Sequence, residues 1–381
     1  MRPALRPTTG DLTGAVADLG VFVPLVAALV LVNGLHPGSI LLAAGILVVA
    51  AGVVFRIPFP VQPLKALTAL AVAQQLSPEL IHAAGLQIGV ILALLAVTGA
   101  ATRLARLFTL PVIRSLQFAV GALLVVTAAR LVLVPPAILD RGVPTQVSLI
   151  VGIAVLAIVT VAAARRWFFL VGTIVVAAVA WSIATGEITL AAPTIHFPTF
   201  APPPLAVFGS AFVLLVVPQL PLTYSNAIVG VSHLARETFP EAADRVTPAR
   251  VSLVCGAGNV VSSVFGGMPM CHGSSGFTAH VRLGASTSAM NVILGGLFIT
   301  LGLVFSGQVL ALFALIPVSV LAAFLAYAGL RHALLVLDLR GTALALAVVA
   351  GTVGVVTRNL AFTTVLALVA EFGRRKTATS L

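Results

Sequence analysis

Apolar residues fill most of this chain in blocks long enough to cross a bilayer, and short clusters of Arg, Pro and Gly separate the blocks. A spanning helix needs about 20 apolar residues, and on that rule the chain divides into about fourteen runs. The first half has runs at 13–32, 39–55, a short one at 63–76, then 80–100, 116–134, 147–164 and 167–184. The second repeats the rhythm at 205–234, 251–265, a short run at 274–285, then 289–305, 309–330, 342–356 and 360–372. Between them, Glu187, His196 and a string of prolines make a stretch that cannot continue a helix. The pattern predicts an all-α polytopic membrane protein with a first unit at 1–185, a linker at 186–204 and a second unit at 205–381.

Composition agrees, since 60% of the 381 residues are hydrophobic and 8% are charged, with a mean hydropathy of +1.17. A soluble domain would carry roughly 25% charged residues, so a cytosolic enzyme, a disulfide scaffold and a disordered chain are all excluded. The net charge of +11 would suggest nucleic acid in a soluble protein. Here the basic residues cluster at alternate turns, and no basic stripe interleaved with aromatics is present, so nucleic acid is excluded. If the N-terminus is cytoplasmic, the even-numbered spans should end in Lys or Arg. They carry Arg56, Arg103 with Arg106, Arg165 with Arg166, Arg236 with Arg245 and Arg250, Arg331 with Arg340, and Arg374 to Lys376. Arg130, Arg141 and Arg358 are the main exceptions. Both termini are therefore expected in the cytoplasm, with the protein in the plasma (inner) membrane and its first span retained. Cys255 and Cys271 lie in apolar or glycine-rich sequence and read as small buried side chains, without a disulfide framework or a CxxC metal motif.

Seven spans per half force the halves to be inverted relative to each other. Inverted repeats place a substrate site near the midplane, built from short or broken helices at matching positions. The short third and tenth helices match: Ile57-Pro58-Phe59-Pro60-Val61-Gln62-Pro63-Leu64-Lys65-Ala66 can be laid over Met268-Pro269-Met270-Cys271-His272-Gly273-Ser274-Ser275-Gly276-Phe277. Pro58, Pro60 and Pro63 remove three donors, force extended chain and pre-set a helix start, so Gln62, Pro63 and Leu64 lead into free first-turn amides offered to an anion. Gly273, Ser274, Ser275 and Gly276 do the same in the second half, with hydroxyl donors added.

Lys65 is one of two lysines and sits inside an apolar half-helix, which costs a few kcal/mol unless it faces a cavity or a partner. It either supplies charge to a bound oxyanion or pairs with Asp18. Asp18, in a polar break of the first span, is a candidate for proton coupling or gating and equally for that ion pair. His272 is a second proton candidate; beside Cys271 alone it makes no metal site, and no metal or cofactor is expected. Tyr224, Ser225 and Asn226, with Gln219 and Thr223, cluster at the eighth span and are expected to face inward.

The strings Ala17-Asp18-Leu19-Gly20-Val21-Phe22-Val23-Pro24-Leu25, Pro60-Val61-Gln62-Pro63-Leu64-Lys65-Ala66 and Gly266-Gly267-Met268-Pro269-Met270-Cys271-His272-Gly273 resemble the molybdate transporter family, a branch related to the sulfate permeases. The resemblance runs over essentially the whole chain. It implies a 14-span inverted-repeat fold with core and gate domains, as in nucleobase transporters, and a substrate between the third and tenth helices. It implies molybdate or sulfate as partner, and a homodimer by analogy. Many sulfate permeases carry an arginine after the tenth-helix serines, where this chain has Gly276, and a C-terminal regulatory domain, which is not expected here, as is usual in the molybdate branch. The expected function is secondary transport of a tetrahedral oxyanion by alternating access. Uptake of a dianion against a negative-inside potential is opposed by about 2.3 kcal/mol per charge per 100 mV, so co-transported protons are expected. The alternatives are a nucleobase/proton symporter of the same fold, which usually wants an acidic side chain in its pocket, and an anion channel. A membrane enzyme is not expected, because the sparse Asp, Glu and His form no catalytic set.

Overall fold

A computed structural model describes residues 7–15, 19–99, 109–136, 139–165, 169–185, 193, 195 and 197–379. Asp18, Glu187 and His196, and with the last two part of the linker, lie outside the described residues.

The chain is mostly helical. Caps chosen by the sequence start several helices: α3 (Pro37–Phe55) begins with Pro37 after His36, whose ring accepts from the Ser39 amide, and α5 (Pro78–Thr98) begins with Pro78 after Ser77. Proline's fixed φ suits the first helical position, where its missing donor costs nothing. Before these lie α1 (Thr9–Ala15) and α2 (Leu19–Asn33); between them lie the two-residue strand β1 (Gln62–Pro63) and the half-helix α4 (Lys65–Gln74). Then follow α6 (Leu110–Leu133), α7 (Thr145–Ala164) and α8 (Phe169–Ala184). A continuous helical run, α9 (Leu205–Thr238), opens the second part. It widens to π geometry at Phe212–Val216 and Thr223–Gly230, the second following Pro218 and Pro221, which cannot donate to the helix ladder. At 1.5 Å per residue its 34 residues reach about 50 Å, more than the hydrocarbon core is thick.

After α10 (Pro248–Val264) come β2 (Met270–Cys271), the half-helix α11 (Ser274–Arg282), α12 (Ala289–Val304) and α13 (Val309–Ala314). The chain closes with α14 (Val318–Ala333), α15 (Gly341–Thr357) and α16 (Leu360–Thr379). Among the described residues, six helices are long and apolar enough to cross a membrane. Their outward faces carry large apolar side chains such as Val53, Val97, Ile150, Ile153 and Val213, as lipid contact requires. The two short helices expected from the pattern are present, with 10 residues in α4 and 9 in α11.

Glycine sets how closely the long helices approach. On α3, Gly38, Gly45 and Gly52 recur every seven residues and meet Gly302, Gly295 and Asn291 of α12. A Cβ on Gly45 would lie 2.7 Å from the Gly295 carbonyl oxygen, and one on Gly295 equally 2.7 Å from that of Gly45. Gly89 of α5 and Gly256 of α10 make the same reciprocal contact at 2.8 and 2.7 Å, and Gly121 of α6 with Gly329 of α14 makes a third. Small residues at such crossings let backbones pack without lipid between them. Gly45→Ala is expected to lower unfolding stability by about 1–3 kcal/mol, the cost of overpacking. Gly296→Ala, with nothing within 4 Å of its Cβ, is expected to be silent. Thermal unfolding of the two purified variants checks this; equal midpoints would refute the crossing as the cause.

Ahead of the first apolar run, Asp11 ties the N-terminus to the turn before α12. Its Oδ1 accepts from the Ser286 and Thr287 amides, each at 2.9 Å, and its Oδ2 from the Thr287 hydroxyl at 2.7 Å. Burial works against its charge, but these hydrogen bonds hold the carboxyl below its ordinary range. His280, near the end of α11, is buried beneath α1 with Nδ1 2.7 Å from the Gly14 carbonyl oxygen.

Candidate functional site

Three prolines keep the chain before α4 extended, and extended backbone inside a membrane protein must find hydrogen-bond partners within the protein. The partner is the matching segment before α11. β1 pairs antiparallel with β2, Gln62 opposite Cys271 and Pro63 opposite Met270, and the Leu64 amide donates to the Pro269 carbonyl at 3.1 Å. The two-stranded ladder was not anticipated, because two residues are too few to show any alternation.

Each extended segment is also held by one asparagine. Asn291 of α12 accepts from the Phe59 amide at 2.9 Å and donates to the Phe59 carbonyl at 2.7 Å and to that of Val48 at 3.0 Å. Asn259 of α10 accepts from the Met270 amide at 2.7 Å and donates to its carbonyl at 2.8 Å. Phe59 and Met270 are opposite each other in the sequence overlay, so the two clamps grip matched positions. The first helical residues are not matched in that overlay: α4 starts six residues after its clamp and α11 four after its own. By helix start, Lys65 therefore corresponds to Ser274 rather than to Gly276.

Neither half-helix has a side-chain cap, since Leu64 and Gly273 occupy the cap positions. The first-turn amides of a helix have no intrahelical acceptor and favour negative charge. In α4 one of them, that of Leu67, donates to Gln219 Oε1 at 2.8 Å, while Gln219 Nε2 donates to Thr223 Oγ1 at 2.9 Å. Both residues come from α9, where Pro221 and the π segment swing polar side chains inward. Ser274 Oγ donates to Asn226 Oδ1. Lys65 Nζ donates to Ser275 Oγ at 2.9 Å, so the two half-helix N-termini are joined by a cation. Among the described residues no carboxylate is ion-paired with Lys65.

A narrow cavity lies at this junction. Of the expected residues, Gln62, Lys65, Asn226 and Gly273 line it, together with Gln219 and Thr223. Ser274 and Ser275 are tied to its lining residues Asn226 and Lys65. Pro63 lies in the ladder and Leu64 is fully buried behind it. Gly276 is packed shut: a Cβ there would meet Gln62 Nε2 at 2.7 Å and Pro60 Cβ at 2.9 Å, so an arginine could enter only by displacing Gln62. Tyr224 instead lines a second cavity with Leu95, Pro248 and Ser252, and the Ser225 hydroxyl is buried with no hydrogen-bond partner among the described residues. His272 is fully buried, its Nδ1 2.8 Å from the Pro60 carbonyl and its ring edge-on to Phe59 at 5.1 Å. Asp18 lies outside the described residues.

Sequence reading missed Asn259, Asn291 and His332. The first two carry a signal, because a side-chain amide in the middle of an apolar run demands a partner. His332 carries none: it follows Arg331 at the end of a span and reads as one more loop residue, yet its ring lines the cavity from α14. It lines that cavity beside Lys65, and Arg114 lies at the turn after α14 through Asp338. Arg114 is ion-paired with Asp338 and donates to Gln117 at 2.7 Å. The site is thus rich in donors and net positive, suited to hold an anion. Among the described residues no group of His, Cys, Asp and Glu could hold a metal ion.

The fold is similar to that of the transmembrane domain of the cyanobacterial bicarbonate transporter BicA, with a TM-score of 0.65 at 14% identity over 95% of this chain and 96% of that one. SLC26A9 matches with a TM-score of 0.64 at 15% identity, over 95% of this chain and 64% of that one. At such identity the likeness is one of fold. In sequence, Molybdate transporter 2 of Arabidopsis thaliana is 28% identical over 369 residues, covering 86% of this chain and 79% of that protein. Molybdate transporter 1 of the same plant is 29% identical over 372 residues, covering 88% and 81%. These relatives are transporters by name, not enzymes. A family model described as molybdate transporter of the MFS superfamily matches residues 10–124 and 211–331, more than half of the chain, including both half-helices and both asparagine clamps. This integral membrane protein belongs to the molybdate transporter family.

Proposed function

We propose that the protein is a secondary carrier of a tetrahedral dianion, molybdate first and sulfate second, working by alternating access. The observation that carries this reading is the Lys65 Nζ to Ser275 Oγ bond, which sets one cation between two half-helix N-termini that open on the same cavity. Amides, hydroxyls and one ammonium suit an oxyanion's outward-pointing acceptors. In this proposal substrate is held by the Lys65 and Ala66 amides that follow Gln62, Pro63 and Leu64 and by those after Gly273, with Lys65, Ser274 and Ser275 as side-chain donors; Asn226 lines the cavity, Gly276 leaves room for Gln62, and Tyr224, with Ser225 outside the lining, faces a second cavity. Asp18 and His272 are candidates for proton coupling or gating.

The proposed architecture is fourteen spans in two inverted units, 1–185 and 205–381, joined by the 186–204 linker. Reciprocal glycine crossings support it: α3 with α12 and α5 with α10 are pairs that an inverted repeat exchanges, and α6 with α14 joins one unit to the other. On this reading α2–α5 and α9–α12 form a core that carries the substrate. The second group, α6–α8 with α14–α16, forms a gate against which the core moves. Basic residues at alternate turns support cytoplasmic termini in a plasma membrane.

The test is uptake of labelled molybdate into proteoliposomes with excess sulfate or uracil as competitor. Saturable uptake blocked by sulfate and not by uracil is expected. Block by uracil would favour a nucleobase carrier, although the described residues lining the cavity include no carboxylate to accept ring N–H groups. Single-channel currents would favour a channel.

A further inference from the structure

His272 is sealed behind Phe59 and hydrogen-bonded to Pro60, off the cavity; the imidazole that lines the cavity is that of His332. We propose that His332 is a proton site of the carrier, taking up a proton as the dianion enters the cavity beside Lys65 and releasing it as the dianion leaves. This rests on the oxyanion reading above.

The argument is one of charge. Around His332, α4 contributes Lys65, α6 contributes Arg114, the turn after α14 contributes Asp338, and α14 itself contributes Arg331. The packed helices α2 and α7 contribute no titratable side chain. Among the described residues Asp338 neutralises Arg114 and Arg331 is exposed, which leaves Lys65 as the unbalanced charge facing the ring. A second positive group beside Lys65 is repelled while the cavity is empty. A dianion reverses the sign: with Lys65 it leaves one net negative charge, which one imidazolium cancels. His332 sits on α14 and Lys65 on α4, elements that the proposed mechanism moves apart, so the charge partner and the proton are lost together when the site opens.

The experiment is calorimetric titration of the purified full chain with molybdate, between pH 6 and pH 8, in two buffers of different ionisation enthalpy. For the wild type about one proton taken up per molybdate is expected, with affinity weakening by up to about tenfold per pH unit above the histidine range. His332→Gln and His332→Asn should still bind, but with a flat pH profile and no buffer dependence. A merely structural role for His332 would change affinity without changing the number of protons. Wild-type binding with no proton uptake overturns the inference and leaves the oxyanion reading standing. So does a substituted protein that keeps the wild-type pH slope, since the proton would then belong elsewhere. No molybdate binding by the wild type overturns both.

Discussion

Lys65→Met should cut molybdate uptake at low substrate by roughly tenfold to a hundredfold while leaving a folded protein, because it removes a charged donor of about 1.5–3 kcal/mol from the site. Methionine keeps the length and apolar stem of the side chain, so packing in the first turn of α4 is nearly preserved. What disappears is the ammonium that donates to Ser275 Oγ at 2.9 Å. Ser275 is neutral, so the bond does not discharge the lysine, and a bound dianion is a stronger acceptor than a hydroxyl. Lys65→Arg restores the charge with a broader head and should recover part of the loss. Proteoliposome KM and the thermal midpoint of each variant separate the two roles open to this residue. An unchanged KM with a lowered midpoint would make Lys65 a structural tie; a raised KM with an unchanged midpoint makes it a substrate ligand.

Much of this site was legible because proline and glycine act locally. Pro58, Pro60 and Pro63 dictate extended chain whatever surrounds them, and the shortness of the run after them follows from counting apolar residues. The positions of α4 and α11 therefore needed no tertiary information, although Lys65, expected inside a half-helix started by Pro63, stands at its first residue because the ladder takes Pro63.

What escaped was everything decided by distant chain. The ladder between Gln62 and Cys271 joins segments more than two hundred residues apart, and nothing in either string names its partner. The seven-residue spacing of Gly38, Gly45 and Gly52 was visible, yet it becomes a contact surface only once α12 brings Gly295 and Gly302 against it. Tyr224 and Asn226 are two residues apart, about 200° around a helix, so they face different cavities; reading them as one polar cluster hid that divergence. Two extra residues before α4 shifted the helix starts out of the overlay, so a string alignment paired Lys65 with a glycine that Gln62 covers.

Asn291→Ala is expected to have the largest effect on stability, about 2–5 kcal/mol. It strands both the amide and the carbonyl of Phe59 in the protein interior, where each unmet group costs about 1–3 kcal/mol. Asn259→Ala makes the equivalent deletion at Met270 but should cost less. The Met270 carbonyl also accepts from the Cys255 thiol at 3.4 Å and would keep that partner. Asn291→Asp should not rescue, since aspartate can still accept from the Phe59 amide but sets a carboxylate against the Phe59 and Val48 carbonyls. The functional consequence follows from position: Phe59 is six residues before Lys65, and with its clamp gone the rigid approach to α4 loosens and KM for molybdate rises along with the fall in stability. Chemical or thermal unfolding of the three variants orders them as Asn291→Asp and Asn291→Ala below Asn259→Ala below wild type. Equal stabilities for Asn291→Ala and the wild type would mean that β1 and its prolines hold the segment unaided, and that the asparagines are passengers at the helix crossing.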